Sequence, residues 1–228
     1  MTPFAEWLNV TFASFDHAIL NFFHELALSA SPLLTPIANV FGFLGELSCF
    51  TVIIAIVLLL FAKTRKGGVA MIFSVLIGMV FTNICIKNVV ARPRPFVSGY
   101  EEWWQAVGAS TPSEFSFPSG HATAATATIL AICLFICLDL KKHRWIVAPA
   151  AVYVLLMGAS RIYLVVHYPT DVIGGIITGS VAGLIGYFLA SKLFSALEKF
   201  KCDSACAFIL SADIRKKKPN ASPDQKNE

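Results

Sequence analysis

Charge in this chain is confined to a few short stretches, and between them run apolar segments long enough to cross a bilayer. A helical span needs roughly 20 apolar residues. Residues 50–62 are nearly pure apolar, and counting back about 20 residues from their end puts the start of a span near Phe41. Further spans are expected over residues 69–86, 120–140, 145–159 (with a continuation towards 166) and 172–193. The composition agrees: 56% of residues are hydrophobic and 14% charged, against roughly 45–50% and about 25% in a soluble domain. The expected fold is all-α, a polytopic membrane helical bundle of five or six transmembrane helices. Residues 1–198 form its membrane-embedded unit, and 199–228 a basic, then polar tail expected to be disordered and cytoplasmic.

The head, residues 1–40, decides between five spans and six. Residues 17–30 are largely apolar but carry Asn21, His24 and Glu25, and Pro32 and Pro36 follow. Proline limits how far a helix continues, so this run is expected to be an interfacial amphipathic helix, with a degenerate first span as the alternative. No positively charged region precedes it, so no secretory signal is expected.

The net charge of +4 is no nucleic-acid signal, because the basic residues are unevenly placed. Residues 1–62 hold no Lys or Arg, whereas Lys63–Lys66, Lys141–Arg144 and the stretch from Lys192 onward are basic. By the positive-inside rule these turns and the tail share the cytoplasmic side. Alternation then puts 88–119 and 161–171 together on the other side, and an active site built from them faces the extracytoplasmic space. Of the cysteines, Cys49, Cys85, Cys133 and Cys137 fall in apolar segments as small hydrophobes. Cys202 and Cys206 have no nearby His to complete a zinc set.

Ionisable residues at the edge of a span are expensive, and therefore point to function. Residues 160–171, Ser-Arg-Ile-Tyr-Leu-Val-Val-His-Tyr-Pro-Thr-Asp, are bounded by apolar runs yet hold Arg161, His167 and Asp171. Pro169 belongs in the first turn of a helix, which places His167 just outside a helix beginning near residue 169. Asp171 then accepts one ring N–H and leaves the other nitrogen's lone pair free. Lys87, Arg94 and the turn Pro118-Ser119-Gly120-His121 join it on the same face. Three cations, two histidines and a Ser-Gly helix start suit a phosphate, which Arg forks and free helix N–H groups grip.

Lys87-(six residues)-Arg94-Pro95, Pro118-Ser119-Gly120-His121 and Ser160-Arg161-(five residues)-His167-(three residues)-Asp171 resemble the three signatures of the type-2 phosphatidic acid phosphatase family. The match covers 87–171 in order, and the hydropathy fits the membrane branch rather than the soluble vanadium haloperoxidases. The resemblance implies a lipid phosphatase acting on undecaprenyl diphosphate, phosphatidylglycerophosphate or phosphatidic acid. His167 would form a phosphohistidine with Asp171 orienting it. His121 would act as acid and then base. Lys87, Arg94, Ser119, Gly120 and Arg161 would hold the phosphate, with no metal and no cofactor. Expected partners are the lipid phosphate and membrane lipids, not nucleic acid. A non-catalytic lipid-phosphate binder or transporter using the same cationic cup is the alternative, but it would need neither histidine.

The remaining polar residues have plainer readings. His17, His24 and His143 are read as satisfied or interfacial, and Trp103 and Trp104 as interface anchors. Glycines 174, 175, 179, 183 and 186 are read as helix-packing positions. Arg92 lies outside the matched spacing; contact with headgroups or solvent is as good a reading for it as a place in the site.

Overall fold

A computed structural model describes residues 1–45, 49–109, 111–112, 115–141, 144–200, 207 and 210–214. Among them the chain is helical without strands: α1 (Pro3–Thr11), α2 (Ala13–Gly45), α3 (Cys49–Leu59), α4 (Arg65–Met79), α5 (Lys87–Val90), α6 (Glu101–Val107), α7 (Gly120–Leu134), α8 (Val147–Tyr163) and α9 (Pro169–Lys199). Among the described residues four stretches are long and apolar enough to cross a membrane: 13–45, 65–97, 120–139 and 169–199.

The head differs from the expectation of a short interfacial helix. α2 runs 33 residues, because Pro32 and Pro36 bend the helix rather than end it. Ala30, at φ −138°, absorbs the break, and regular turns resume beyond it, as at a proline kink. The span expected to start at Phe41 divides accordingly: Phe41–Gly45 close α2, and α3 is a separate 11-residue helix.

α4, α7 and α9 pack against one another as the centre of the bundle. Their approach rests on glycine. A Cβ on Gly175 would lie 2.6 Å from the Ser119 carbonyl oxygen, and one on Gly183 2.9 Å from that of Ala127; Gly179 sits likewise on Thr123 O. The glycines recur every four residues on α9 and the carbonyls every four on α7, so the two backbones run in contact along one face. Gly186 does the same against Ser74 of α4, whereas Gly174 faces the Phe117 ring. This register sets the start of α7 level with the start of α9, where Ser119 N donates to Asp171 O at 3.0 Å.

α4 does not stop at Met79. Residues Val80–Ile86 form a π-type turn, with Lys87 N bonding back five residues to Thr82 O, and α5 follows. The extra residue in the turn shifts the helical register, so that Thr82, Asn83 and Lys87 all line one cavity.

The connection after α5 is not a polar loop standing in water. It folds back as α6 and buries Trp103 in the main apolar cluster with Leu20, Ala27, Val107 and Val165. The Trp103 ring stacks on His24 at 5.0 Å, and Trp104 on Phe96 at 4.8 Å. The expected interface anchors are thus packing residues, because α2 supplies an apolar wall for the indoles. His17 is satisfied, with Nδ1 2.5 Å from the Tyr100 hydroxyl.

At the opposite end Lys66 pairs with Asp139, and residues 210–214 return to the α3–α4 turn. Ile214 N donates to Leu60 O at 3.4 Å, Ala62 N to Asp213 Oδ2 at 3.3 Å, and Arg65 to Ala212 O. His143 and, in the tail expected to be disordered, residues 201–206 (with Cys202 and Cys206), 208–209 and 215–228 lie outside the described residues.

Candidate active site

The turn between α8 and α9 builds the centre of the site. Helix α8 closes with Val166 N on Arg161 O at 3.2 Å and Val165 N on Ile162 O at 2.9 Å, the Schellman pattern. The left-handed position it demands is filled by Val165, at φ 58°, where glycine is usual. The sharp reversal drops His167 inward, 3% exposed. Tyr168 is then the extended N-cap of α9 and Pro169 its first residue, as the proline placed it. Asp171, the third helical residue, accepts Tyr168 N at Oδ2, 2.9 Å. The four-residue spacing from His167 to Asp171 is therefore capping geometry. It sets His167 Nδ1 3.6 Å from the same Oδ2, too long for a hydrogen bond, and Nδ1 has no such partner among the described residues.

Burial holds the His167 imidazole well below its ordinary pKa, helped by the charges of Arg94, Lys87 and Arg161 and opposed by the Ser116 backbone. The ring is neutral at pH 7 and keeps a lone pair. Its Nε2 lies 3.4 Å from Arg94 Nη1. Arg94 is itself fixed, donating to Val166 O at 2.7 Å and Phe115 O at 3.3 Å.

Across the cavity, α2 covers Arg161 and His121. Arg161 donates to Ala38 O at 3.2 Å and approaches His121 Nε2 at 3.4 Å. His121 Nε2 also lies 3.3 Å from Gly42 O. Gly42 and Gly45 make this crossing possible: a Cβ at 42 would stand 2.6 Å from Arg161 Nη2, and one at 45 would overlap the His121 ring. Ser160, for which sequence offered no contact, accepts Arg161 Nε at 3.2 Å and donates to Met157 O at 2.7 Å.

Lys87, Arg94, Gly120, His121, Arg161 and His167 all line this cavity, whose volume is about 680 Å³. Ser119 and Asp171 do not line it. Ser119 is fully buried as the N-cap of α7, its Oγ accepting Ala122 N at 3.4 Å, which leaves its O–H to donate. Asp171 stands behind His167. Among the described residues no group of three His, Cys, Asp or Glu side chains could hold a metal ion.

Two residues escaped the sequence reading. Arg92, 1% exposed, meets neither headgroup nor solvent. Its Nη1 donates to Asp171 Oδ1 at 2.6 Å and Thr170 Oγ1 at 2.7 Å, its Nη2 to Asp16 Oδ2 at 2.8 Å and its Nε to Asn9 Oδ1 at 2.7 Å. The guanidinium also stacks 3.9 Å from the centre of the Tyr168 ring. A signal existed: each of Arg92 and Arg94 precedes a proline, which favours extended backbone, where residues two apart share a face. Asp16, the partner carboxylate on α2, gave only the general sign that a charge in an apolar helix needs a partner.

A family model described as the PAP2 superfamily matches residues 67–195. An undecaprenyl-diphosphatase of Sulfolobus acidocaldarius is 31% identical over 123 residues, 54% of this chain and 55% of that protein. Phosphatidylglycerophosphatase B of Bacillus subtilis is 38% identical over 93 residues, 39% of this chain and 44% of that one. The chain thus spans about half the length of these curated relatives. A crystal structure of a transmembrane PAP2-type phosphatidylglycerolphosphate phosphatase from Bacillus subtilis has a TM-score of 0.63 and 28% identity, covering 86% of this chain and 93% of that one. The family match takes in more than half of the residues, including every segment of the charged wall: the chain is a multi-pass membrane protein of the PAP2 superfamily.

Proposed function

We propose that this protein is a lipid phosphatase that hydrolyses a phosphomonoester or diphosphate through a phosphohistidine. The observation that carries the proposal is the buried His167 lining a cavity walled by Lys87, Arg94 and Arg161, its Nε2 3.4 Å from Arg94 Nη1. A nucleophile, fixed cations and a second histidine surround one space of headgroup size.

In the first step His167 Nε2 attacks phosphorus, an N–P bond forms and the bond from phosphorus to the lipid oxygen breaks. His121 delivers a proton to that oxygen. In the second step His121 takes a proton from water, the water oxygen bonds phosphorus and the N–P bond breaks, which regenerates His167 and releases phosphate. Lys87, Arg94 and Arg161, with the Gly120 N–H at the start of α7, stabilise the equatorial oxygens. Ser119 contributes by shaping that helix start. These fixed cations leave no charge for a metal to neutralise, so activity is expected to survive EDTA.

The substrate class is a membrane lipid phosphate: undecaprenyl diphosphate, phosphatidylglycerophosphate or phosphatidic acid. The relatives' names support this, and so does the cavity's wall. Phe43 of α2 and Met79 of α4 line it and are also exposed, at 75% and 39%, so a lipid tail has an apolar exit between these helices. The basic turns at the opposite end support an extracytoplasmic site. The test is phosphate release by detergent-solubilised protein with EDTA, on the three lipids in parallel, with His167→Ala as control. Turnover by wild type alone is expected. Lipid binding without turnover by either protein would leave the binder as the reading.

A further inference from the structure

We infer that Arg92 and Asp16 are positioning residues for phosphoryl transfer, holding Asp171 with one carboxylate oxygen turned to His167. The inference rests on the phosphatase reading and extends the working site into the head of the chain, to a residue on α2.

Asp171 is wholly buried. A lone carboxylate there would take up a proton and lose its pull on the His167 N–H. Arg92 opposes this by pairing with Oδ1 at 2.6 Å. Tyr168 N holds Oδ2 at 2.9 Å, so both oxygens are pinned and the carboxylate plane is set. The second oxygen is the one 3.6 Å from His167 Nδ1. Catalytic hydrogen bonds are often long in an empty site and tighten on binding, and a shift of a few tenths of an ångström closes this one.

Asp16 adds a separate control. It takes the other fork of the same guanidinium at 2.8 Å, so one positive charge serves two carboxylates. The guanidinium is thereby divided between the two carboxylates, and not all of the acceptor strength of Asp171 goes to Arg92. Asp16 also bolts down the first turn of α9. Its Oδ1 accepts Thr170 N at 2.9 Å and its Oδ2 accepts the Thr170 hydroxyl at 2.7 Å. Arg92 donates to that same hydroxyl, closing a ring that runs from α2 to α9. None of Asp16, Arg92, Thr170 and Asp171 lines the phosphate cavity, so the ring acts through the groups that Asp171 holds, His167 foremost.

The test compares wild type with Arg92→Gln, Arg92→Lys, Asp16→Asn and the double variant Arg92→Gln/Asp16→Asn in detergent. Three quantities are read: kcat and KM on the lipid turned over by wild type, and the rise in unfolding midpoint given by inorganic phosphate. The expected result is a fall in kcat of about 100-fold for Arg92→Gln, comparable to the loss of one positioned proton-transfer partner, and a smaller fall for Asp16→Asn. KM and the phosphate-induced rise stay within about 3-fold of wild type, and the double variant is no worse than Arg92→Gln alone. Folded, phosphate-binding variants with wild-type kcat would overturn the inference. So would a parallel loss of KM, phosphate response and kcat, which marks a merely structural role. If the Arg92 variants do not fold, Asp16→Asn alone decides between the same outcomes. A wild type that releases no phosphate strikes the phosphatase reading instead.

Discussion

Gly42→Ala separates catalysis from folding. The added methyl would lie 2.6 Å from Arg161 Nη2 and 3.3 Å from Cζ, well inside contact distance. The obstacle is the end of a flexible side chain, so the guanidinium swings away and the helices stay where they are. Its bond to Ala38 O, 3.2 Å, and its proposed grip on a phosphate oxygen are lost. One hydrogen bond to a charged group is worth about 1.5–3 kcal/mol, which amounts to roughly 10- to 100-fold in kcat/KM. Stability is pulled both ways: alanine inside a helix gains up to about 1 kcal/mol over glycine, and the lost bond to Ala38 O costs about 1.5–3 kcal/mol. The assay is lipid-phosphate hydrolysis beside a thermal midpoint on the same preparation. The expected variant still folds, with a stability loss of no more than about 2 kcal/mol and activity down by one to two orders of magnitude. Full activity would refute the place of Arg161 on the phosphate. A collapse of the midpoint would refute the claim that only the guanidinium yields.

Other perturbations give contrasting outcomes. Gly175→Ala drives a methyl against the Ser119 carbonyl at 2.6 Å and Ala122 Cβ at 2.9 Å. Backbone cannot swing aside, so a loss of about 1–3 kcal/mol is expected by overpacking, seen as a lowered midpoint in detergent. Because the folded His167 titrates below its ordinary 6.5, the unfolded chain binds this proton first as pH falls. Stability conferred by the neutral ring is therefore complete above about 6.5 and is lost as pH drops towards the folded value. Replacing His167 with Gln should flatten the acid side of the midpoint–pH curve. Val165→Gly relieves a strained left-handed valine, worth about 1 kcal/mol, but removes a fully buried side chain worth about 1.5–3 kcal/mol. A net loss of about 1 kcal/mol is expected in denaturant titration.

Much of the site could be read from local chemistry. Pro169 marks where α9 begins, and four residues from His167 bring Asp171 back beneath the ring. The glycines of α9 were legible because only close helix contact explains four-residue spacing in an apolar span. What could not be read depended on partners distant in sequence. Asp16 and Arg92 find each other across 76 residues, and neither has a local pattern that names the other. The π-type turn after Met79 hides in an ordinary apolar run, and the two prolines of α2 suggested an end where there is a bend. Trp103 and Trp104 misled because a tryptophan pair suits a lipid–water boundary and a protein core equally well.

The glycine rungs of α9 on the carbonyls of α7 make the site a matter of indexing. Contact can be kept only by sliding a whole rung, four residues or about 6 Å along the axis. Such a slip would carry Ser119 and His121 a full turn away from Asp171 and His167, beyond the reach of any hydrogen bond between them. Intermediate positions put helix against helix with no room for backbone. On the proposed function, a chain one rung out of step is expected to turn over no lipid phosphate, and activity per milligram to follow the fraction of chains assembled in register.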